Sequence, residues 1–154
     1  STLELDRRQR QMCIRDSSST DCKNLSTIMV GIYDLLEGKS VNDFKSDYNS
    51  LVDSVLAFTG TPLRVTCVGL PDFSQAPGLP ASAGTAQEAK IKIQSYNGAI
   101  AEVAIDKGVG FANILPISEV SYEFMLAEDD FHPAAPQHLL WANVIAGEVE
   151  NGLD

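Results

Sequence analysis

The run LSTIMVGI at residues 25–32 is short, apolar and rich in β-branched side chains, with a glycine near its end. Such a run is typical of a strand that is buried on both faces of a parallel sheet. Two similar runs follow, LRVTCVGL at residues 63–70 and FANIL at residues 111–115. We therefore predict three buried parallel strands.

Each predicted strand is followed by apolar residues at helical spacing. The first helix is predicted to begin at the capping residue Ser40 and to end before Gly60, and the second to begin with the capping box of Thr85 and Glu88. The apolar stripes comprise Val41, Phe44, Tyr48, Leu51, Val52 and Val55, then Ile93, Tyr96, Ile100 and Val103, and finally Leu140, Trp141, Val144 and Ile145. This alternation implies right-handed crossovers and helices on both faces of the sheet. The predicted fold class is a three-layer α/β sandwich with a parallel, flavodoxin-like sheet.

Residues 71–84, between the second strand and the second helix, contain three prolines and two glycines. This composition predicts a loop on the surface. The loop is also long enough to suggest a functional role, because most connections in compact domains are shorter.

Composition narrows the possible partners. The chain has 154 residues, enough for one domain, and a net charge of −10, which argues against binding to nucleic acid or to an anionic membrane surface. Its apolar runs are too short to cross a bilayer. The cysteines Cys13, Cys22 and Cys67 form neither a disulfide framework nor a metal-binding spacing, and Cys67 is predicted to be a buried strand residue. The sequence indicates neither the compartment nor the oligomeric state.

The first 17 residues differ in character from the rest of the chain. Residues 7–17, RRQRQMCIRDS, resemble the in-frame translation of a transposon-type sequencing adapter. The hypothesis is that residues 1–17 are non-native, that native coding begins near Ser18 and that an upstream part of the gene is missing. An ordinary disordered arm is the alternative. We exclude this segment from the interpretation of the fold, which leaves residues 18–154 as a partial domain.

Two segments carry side chains suited to catalysis at the carboxyl ends of the predicted strands, where active sites of parallel α/β sheets gather. One is Gly31-Ile32-Tyr33-Asp34 and the other is Asp129-Asp130-Phe131-His132. An acid three residues before a histidine can supply the acid–base half of a Ser-His-Asp triad. The alternatives are a helix-capping Asp129 with a surface His132, or Asp130 as the orienting carboxylate. His138 lies on a different helical face from His132, so no two-histidine metal site is expected.

These two segments, in this order, resemble two conserved blocks of the SGNH (GDSL-type) hydrolase family. Gly31 and Asp34 match the block Gly-x-Asn-Asp, and Asp129 and His132 match the block Asp-x-x-His that precedes the last helix. The string EDDFHPAAPQHLLWA at residues 128–142 is similar to the family's usual ending, and the resemblance covers roughly residues 22–150. It implies a serine esterase or acylhydrolase that acts on a small-molecule ester without metal or organic cofactor. His132 would be the general base and Asp129 its orienting acid.

Two departures from the family pattern affect the expected activity. First, Tyr33 stands where the family has the asparagine that donates to the oxyanion. A phenol can also donate, so Gly31 and Tyr33 would line the oxyanion side. The alternative is that Tyr33 only packs at the strand end. Second, the nucleophile block Gly-Asp-Ser is missing, because Asp16-Ser17-Ser18 lies too close to Gly31 for a parallel crossover. The chain is therefore expected to be the inactive C-terminal part of a serine ester hydrolase. The alternative is a non-catalytic α/β domain that binds a small ligand or a protein.

Overall fold

Three short parallel strands form the centre of the computed structural model, which describes residues 25–118 and 126–153. They are β1 (Ser26–Ile28), β2 (Val65–Val68) and β3 (Gly110–Ala112), hydrogen-bonded in the order β1-β2-β3. Thr27 pairs with Thr66, and Cys67 pairs with Phe111. The predicted parallel sheet is confirmed, with β2 at its centre.

Five α-helices accompany these strands in the described part of the chain. They are α1 (Ile32–Leu36), α2 (Val41–Thr59), α3 (Ala86–Lys107), α4 (Leu115–Ser118) and α5 (Ala135–Leu153). Two 3₁₀ turns, Pro62–Arg64 and Ala81–Ala83, precede β2 and α3. Residues 1–24, which include the adapter-like segment, lie outside the described residues.

The predicted caps of α2 and α3 are confirmed. The Ser40 hydroxyl accepts the Asp43 N–H at 3.1 Å, and α2 ends at Gly60, whose φ of 74° is left-handed. At the start of α3, the Thr85 hydroxyl accepts the Glu88 N–H at 3.2 Å while the Glu88 carboxylate accepts the Thr85 N–H at 2.7 Å. Each such cap stabilises a helix by about 1 kcal/mol.

The sheet lies between two helical layers, as predicted. Val65 and Cys67 of β2 point to the face covered by α2 and α3, whereas Val68 points to the face covered by α5. The larger core contains the buried stripes of α2 and α3: Phe44, Tyr48, Val52, Ile93, Tyr96, Ile100 and Val103. The smaller core consists of Val68, Ala112, Ile114 and Trp141. Cys67 is fully buried in the larger core, as predicted, and this burial raises the pKa of its thiol.

The strands are shorter than predicted. The first predicted strand continued to Ile32, but β1 ends at Ile28, because Gly31 (φ 126°) turns the chain and Ile32 begins α1. At the third strand, Leu115 belongs to α4 rather than to β3. Apolar β-branched residues do not distinguish a strand from the short helix that follows it.

The loop at residues 71–84 is only partly a surface loop. Its first four residues are buried, and the Phe73 ring, 5% exposed, belongs to the larger core. The prediction of a surface loop was therefore wrong for this part. Proline and glycine content marks a change of direction but does not report which side chains pack inward.

Helix α5 packs less completely than its stripe predicted. Trp141 is buried, Val144 and Ile145 are half-buried, and Leu140 is exposed. Within residues 25–118 and 126–153, no helix combines the length and apolar character needed to cross a membrane.

Gly31 provides a test of how the chain leaves β1. A Cβ atom here would lie 2.8 and 2.9 Å from two Phe44 ring atoms, and that ring stacks on Tyr96 at 4.3 Å. We expect Gly31→Ala to lower the free energy of unfolding by ~2–5 kcal/mol, since the methyl group adds overpacking to an unfavourable φ. Chemical denaturation measures this loss.

Gly38→Ala is the matched control, because Gly38 also has a positive φ (78°) but no atom within 4 Å of its would-be Cβ. Its free energy of unfolding should fall only by the cost of placing alanine at a positive φ, ~1–2 kcal/mol. Equal losses in the two variants would contradict the proposed role of Phe44.

The outer edge of β1 gives a second prediction. Among the described strands, β1 pairs only with β2, so its other edge has no described partner. Open strand edges template association with other chains. We expect the chain to form larger species as its concentration rises, measured by size-exclusion chromatography with light scattering. A monodisperse monomer at high concentration would contradict this.

Candidate active site

The carboxyl ends of β1 and β2 define the edge where the two predicted catalytic segments lie. The segment that begins at Gly31 follows β1, and residues 69–74 follow β2. The loop 126–133, which carries Asp129 and His132, reaches this edge by contacting the loop 71–84. The structure thus places Gly31, Tyr33, Asp129 and His132 on loops and a short helix rather than on the strands themselves.

Asp129 and His132 are in direct contact. The Asp129 Oδ2 atom hydrogen-bonds the Nδ1 atom of His132, while Oδ1 accepts the backbone N–H groups of His132 at 2.9 Å and Phe131 at 3.1 Å. The bond to the His132 side chain, followed by these two backbone bonds, lowers the pKa of Asp129 to about 2.

The ordinary charge of an aspartate fixes the direction of the bond to His132, because its carboxyl group is ionised at neutral pH. An ionised carboxylate can only accept a hydrogen bond, so Nδ1 of His132 must donate. In the neutral ring, Nε2 then carries the lone pair and can accept a proton. This is the tautomer that a general base needs when a carboxylate orients it. The His132 side chain is 60% exposed and the Asp129 side chain is 50% exposed.

A tight turn holds the pair. Leu126 and Pro133 form an antiparallel bridge, and the Ala127 N–H donates to the His132 carbonyl at 2.7 Å. Asp130, inside this turn, has a φ of 55° and is the one non-glycine residue with a positive φ in the described ranges. Aspartate tolerates this left-handed conformation better than most non-glycine residues.

The alternatives for this segment can now be compared with the geometry. Asp129, not Asp130, hydrogen-bonds the imidazole. Asp129 does not cap α5, because that helix begins at Ala135. His138 is exposed and contacts the edge of Trp141, with ring centroids 5.2 Å apart.

At the end of β1, Gly31 is the N-cap residue of α1 and Tyr33 lies in its first turn. The Tyr33 side chain is 50% exposed, so it is not simply a core residue. Its place at the same edge as the Asp129–His132 pair is compatible with a donor on the oxyanion side, and that role stays a prediction.

Asp34, the other match to the family's third block, takes part in an ion-pair network. The Lys39 ammonium hydrogen-bonds Asp47 and also lies 3.1 Å from Asp34. The bond to Asp47 contributes most, and the bond to Asp34 next, to raising the pKa of Lys39. The Tyr96 hydroxyl donates to the Lys39 carbonyl at 2.8 Å. Asp34 therefore fixes the connection between α1 and α2.

Two buried polar residues, to which sequence reasoning assigned no role, hold the chain where it leaves β2. Asn97 of α3 binds both backbone groups of Leu70: its Oδ1 accepts the N–H at 2.6 Å and its Nδ2 donates to the carbonyl at 2.9 Å. The Asp72 carboxylate, also buried, accepts the Ser74 N–H at 2.8 Å. No apolar periodicity could mark these residues; the only signal was the proline-rich loop itself. In the ranges that the structure describes, no cluster of three or more His, Cys, Asp or Glu side chains could hold a metal ion.

Comparison with known proteins supports the fold. No protein-family model matches the chain, and no curated protein matches its sequence. Solved structures do match. TesA aligns over 84% of this chain with a TM-score of 0.61 and 18% identity. A variant of Axe2, an acetyl xylan esterase from Geobacillus stearothermophilus, aligns over 97% with a TM-score of 0.62 and 15% identity. A protein described as a GDSL-like lipase, from Parabacteroides merdae, aligns over 83% with a TM-score of 0.63 and 12% identity.

The alignments cover only part of these larger proteins. The chain spans 63% of TesA, 67% of the Axe2 variant and 60% of the GDSL-like lipase. At these identities the likeness concerns the backbone arrangement. The chain thus has the α/β fold found in esterases and GDSL-like lipases, over about two thirds of their length.

Proposed function

We propose that this chain carries the acid–base half of a serine ester hydrolase of the SGNH type. The observation that supports this most is the hydrogen bond between Asp129 and Nδ1 of His132, which leaves Nε2 as the proton acceptor. The fold shared with an acetyl xylan esterase and a GDSL-like lipase adds weight, as does the position of the pair beside the carboxyl edge of a parallel sheet.

The chemistry follows from this geometry once a serine is supplied. Nε2 of His132 removes the proton from the serine hydroxyl as its oxygen attacks the ester carbonyl, and Asp129 stabilises the resulting imidazolium. The carbonyl oxygen becomes an oxyanion, and we expect the backbone of Gly31 and the Tyr33 hydroxyl to line the oxyanion side. His132 then gives its proton to the departing alcohol, which leaves an acyl-enzyme. Water, activated by His132, hydrolyses that intermediate.

The nucleophile is expected from a segment that the given sequence does not contain. The chain as given should therefore lack esterase activity. The competing proposal, a non-catalytic α/β domain, is favoured by two observations: Tyr33 replaces the family's asparagine, and no Gly-Asp-Ser block is present. The coding sequence upstream of Ser18 separates the two proposals, because only the hydrolase requires that block.

An esterase assay tests this proposal. With a chromogenic short-chain ester, the chain as given should not raise the rate of hydrolysis above the uncatalysed rate in buffer. The intact parent protein should hydrolyse the same ester, and His132→Ala should reduce its kcat/KM by roughly 10⁴-fold or more.

His138→Ala is the matched control, because this second histidine is exposed and its ring packs edge to face with Trp141. It should leave kcat/KM of the intact parent unchanged. Turnover by the given chain that disappears in His132→Ala would contradict the requirement for an external serine. Full activity of the intact His132→Ala variant would contradict the proposed function itself.

A further inference from the structure

The loop 71–84 approaches the Asp129–His132 turn too closely for any side chain at one position. A Cβ atom on Gly78 would lie 2.6 Å from the Asp129 carbonyl oxygen and 3.1 Å from the carbonyl carbon and oxygen of Asp130. All these atoms belong to the backbone, so none could rotate away. The Gly78 N–H also donates to the Asp130 carbonyl at 3.0 Å. Gly78 thus fixes the peptide groups that precede His132.

An aromatic contact fixes the other side of the same turn. The buried ring of Phe73 meets Phe131 edge to face, with centroids 5.5 Å apart. Phe131 in turn meets the His132 imidazole edge to face at 5.2 Å. Such aromatic pairs stabilise the fold by more than the burial of their surface alone, and they prefer this edge-to-face orientation. The orientation of the imidazole is therefore linked to a side chain of the main core.

The loop 71–84 is itself anchored at its root. The Asp72 N–H donates to the Ser118 hydroxyl at 2.7 Å, and the Asp72 carboxylate accepts the Ser74 N–H and lies 3.7 Å from the Lys90 ammonium. The Asp72 side chain is 3% exposed. A buried carboxylate with these partners holds the backbone on both sides of Phe73, so Phe73 and Gly78 are presented from a fixed base.

We propose that Gly78 is a positioning residue for the Asp129–His132 pair and that, together with Phe73, it sets the orientation in which His132 faces a nucleophile. The significance for catalysis rests on the proposed ester hydrolase function. The positioning itself concerns only residues of this chain and can be measured without any turnover.

Nuclear magnetic resonance of the chain as given tests this inference. Gly78→Ala must displace the carbonyls of Asp129 and Asp130, which disturbs the three hydrogen bonds that the Asp129 carboxylate accepts. Its pKa should rise from about 2 toward the ordinary aspartate value of about 3.9, as followed by ¹³C titration of the carboxyl carbon. The downfield Nδ1–H proton signal of His132 should weaken or vanish. Glu128 and Asp130 lie on the same turn and are left unsubstituted in every variant.

Gly98→Ala is the matched control, since a Cβ on this exposed α3 glycine would meet no atom within 4 Å. It should leave the Asp129 pKa and the His132 proton signal unchanged. An Asp129 pKa that stays near 2 in a folded Gly78→Ala variant would overturn the inference.

Phe73→Leu decides the question if Gly78→Ala does not fold. Leucine keeps the site apolar but removes the edge contact to Phe131, so the same two signals should move in the same directions. Unchanged signals in this variant would overturn the inference. If the signals move as expected but the intact parent keeps full activity without His132, the proposed function fails while the positioning of the pair stands.

Discussion

The turn of the chain out of the central strand depends on one buried side chain, Asn97. Beyond β2 the ladder ends, and the backbone groups of Leu70 would lie unpaired in the core. The Asn97 amide binds both of them. It can approach this closely because Gly69 has no side chain: a Cβ atom there would lie 3.2 Å from the Asn97 Oδ1 atom. Each buried backbone group left without a partner would cost about 1–3 kcal/mol. The direction of the loop 71–84, and with it the support of the candidate site, follows from this bond pair.

Three carboxylates lie near the carboxyl edge of the sheet, and the group that each one binds determines what it can do. Asp34 faces the Lys39 ammonium, which stays charged at neutral pH, and Asp72 accepts a backbone N–H inside the core. Asp129 alone among them is paired with an imidazole. Since imidazole is the side chain that ordinarily titrates near neutral pH, only this pair is suited to exchange a proton with a substrate. The other two hold the backbone in place.

The local features of the fold were predictable from sequence, because they depend on neighbouring residues. Helical spacing identified the buried faces of α2 and α3, and Ser40 and Thr85 marked their starts. The spacing of Asp129 and His132 predicted a contact that the structure contains. The end of β1 was not predicted, since the apolar run continues to Ile32 and nothing in it indicates that Gly31 adopts a φ of 126°.

The supports of the site were not predictable, because they join residues far apart in sequence. Asn97 reaches Leu70 across 27 positions, and Asp72 binds Ser118 across 46. Gly78 looked like an ordinary loop glycine, whereas its neighbour in space is the backbone of Asp129. Such contacts follow from how the loops pack on the finished sheet. No periodicity or turn signal encodes them.

Asp129 is proposed to hold His132 in the tautomer of a general base, and the ¹⁵N chemical shifts of the imidazole report that tautomer. At about pH 8, where histidine is ordinarily neutral, we expect a protonated Nδ1 and an unprotonated Nε2 in His132. His138 serves as the internal reference, because no carboxylate binds its ring in the described part of the chain. A His132 ring protonated mainly at Nε2 would show that Asp129 does not set the tautomer.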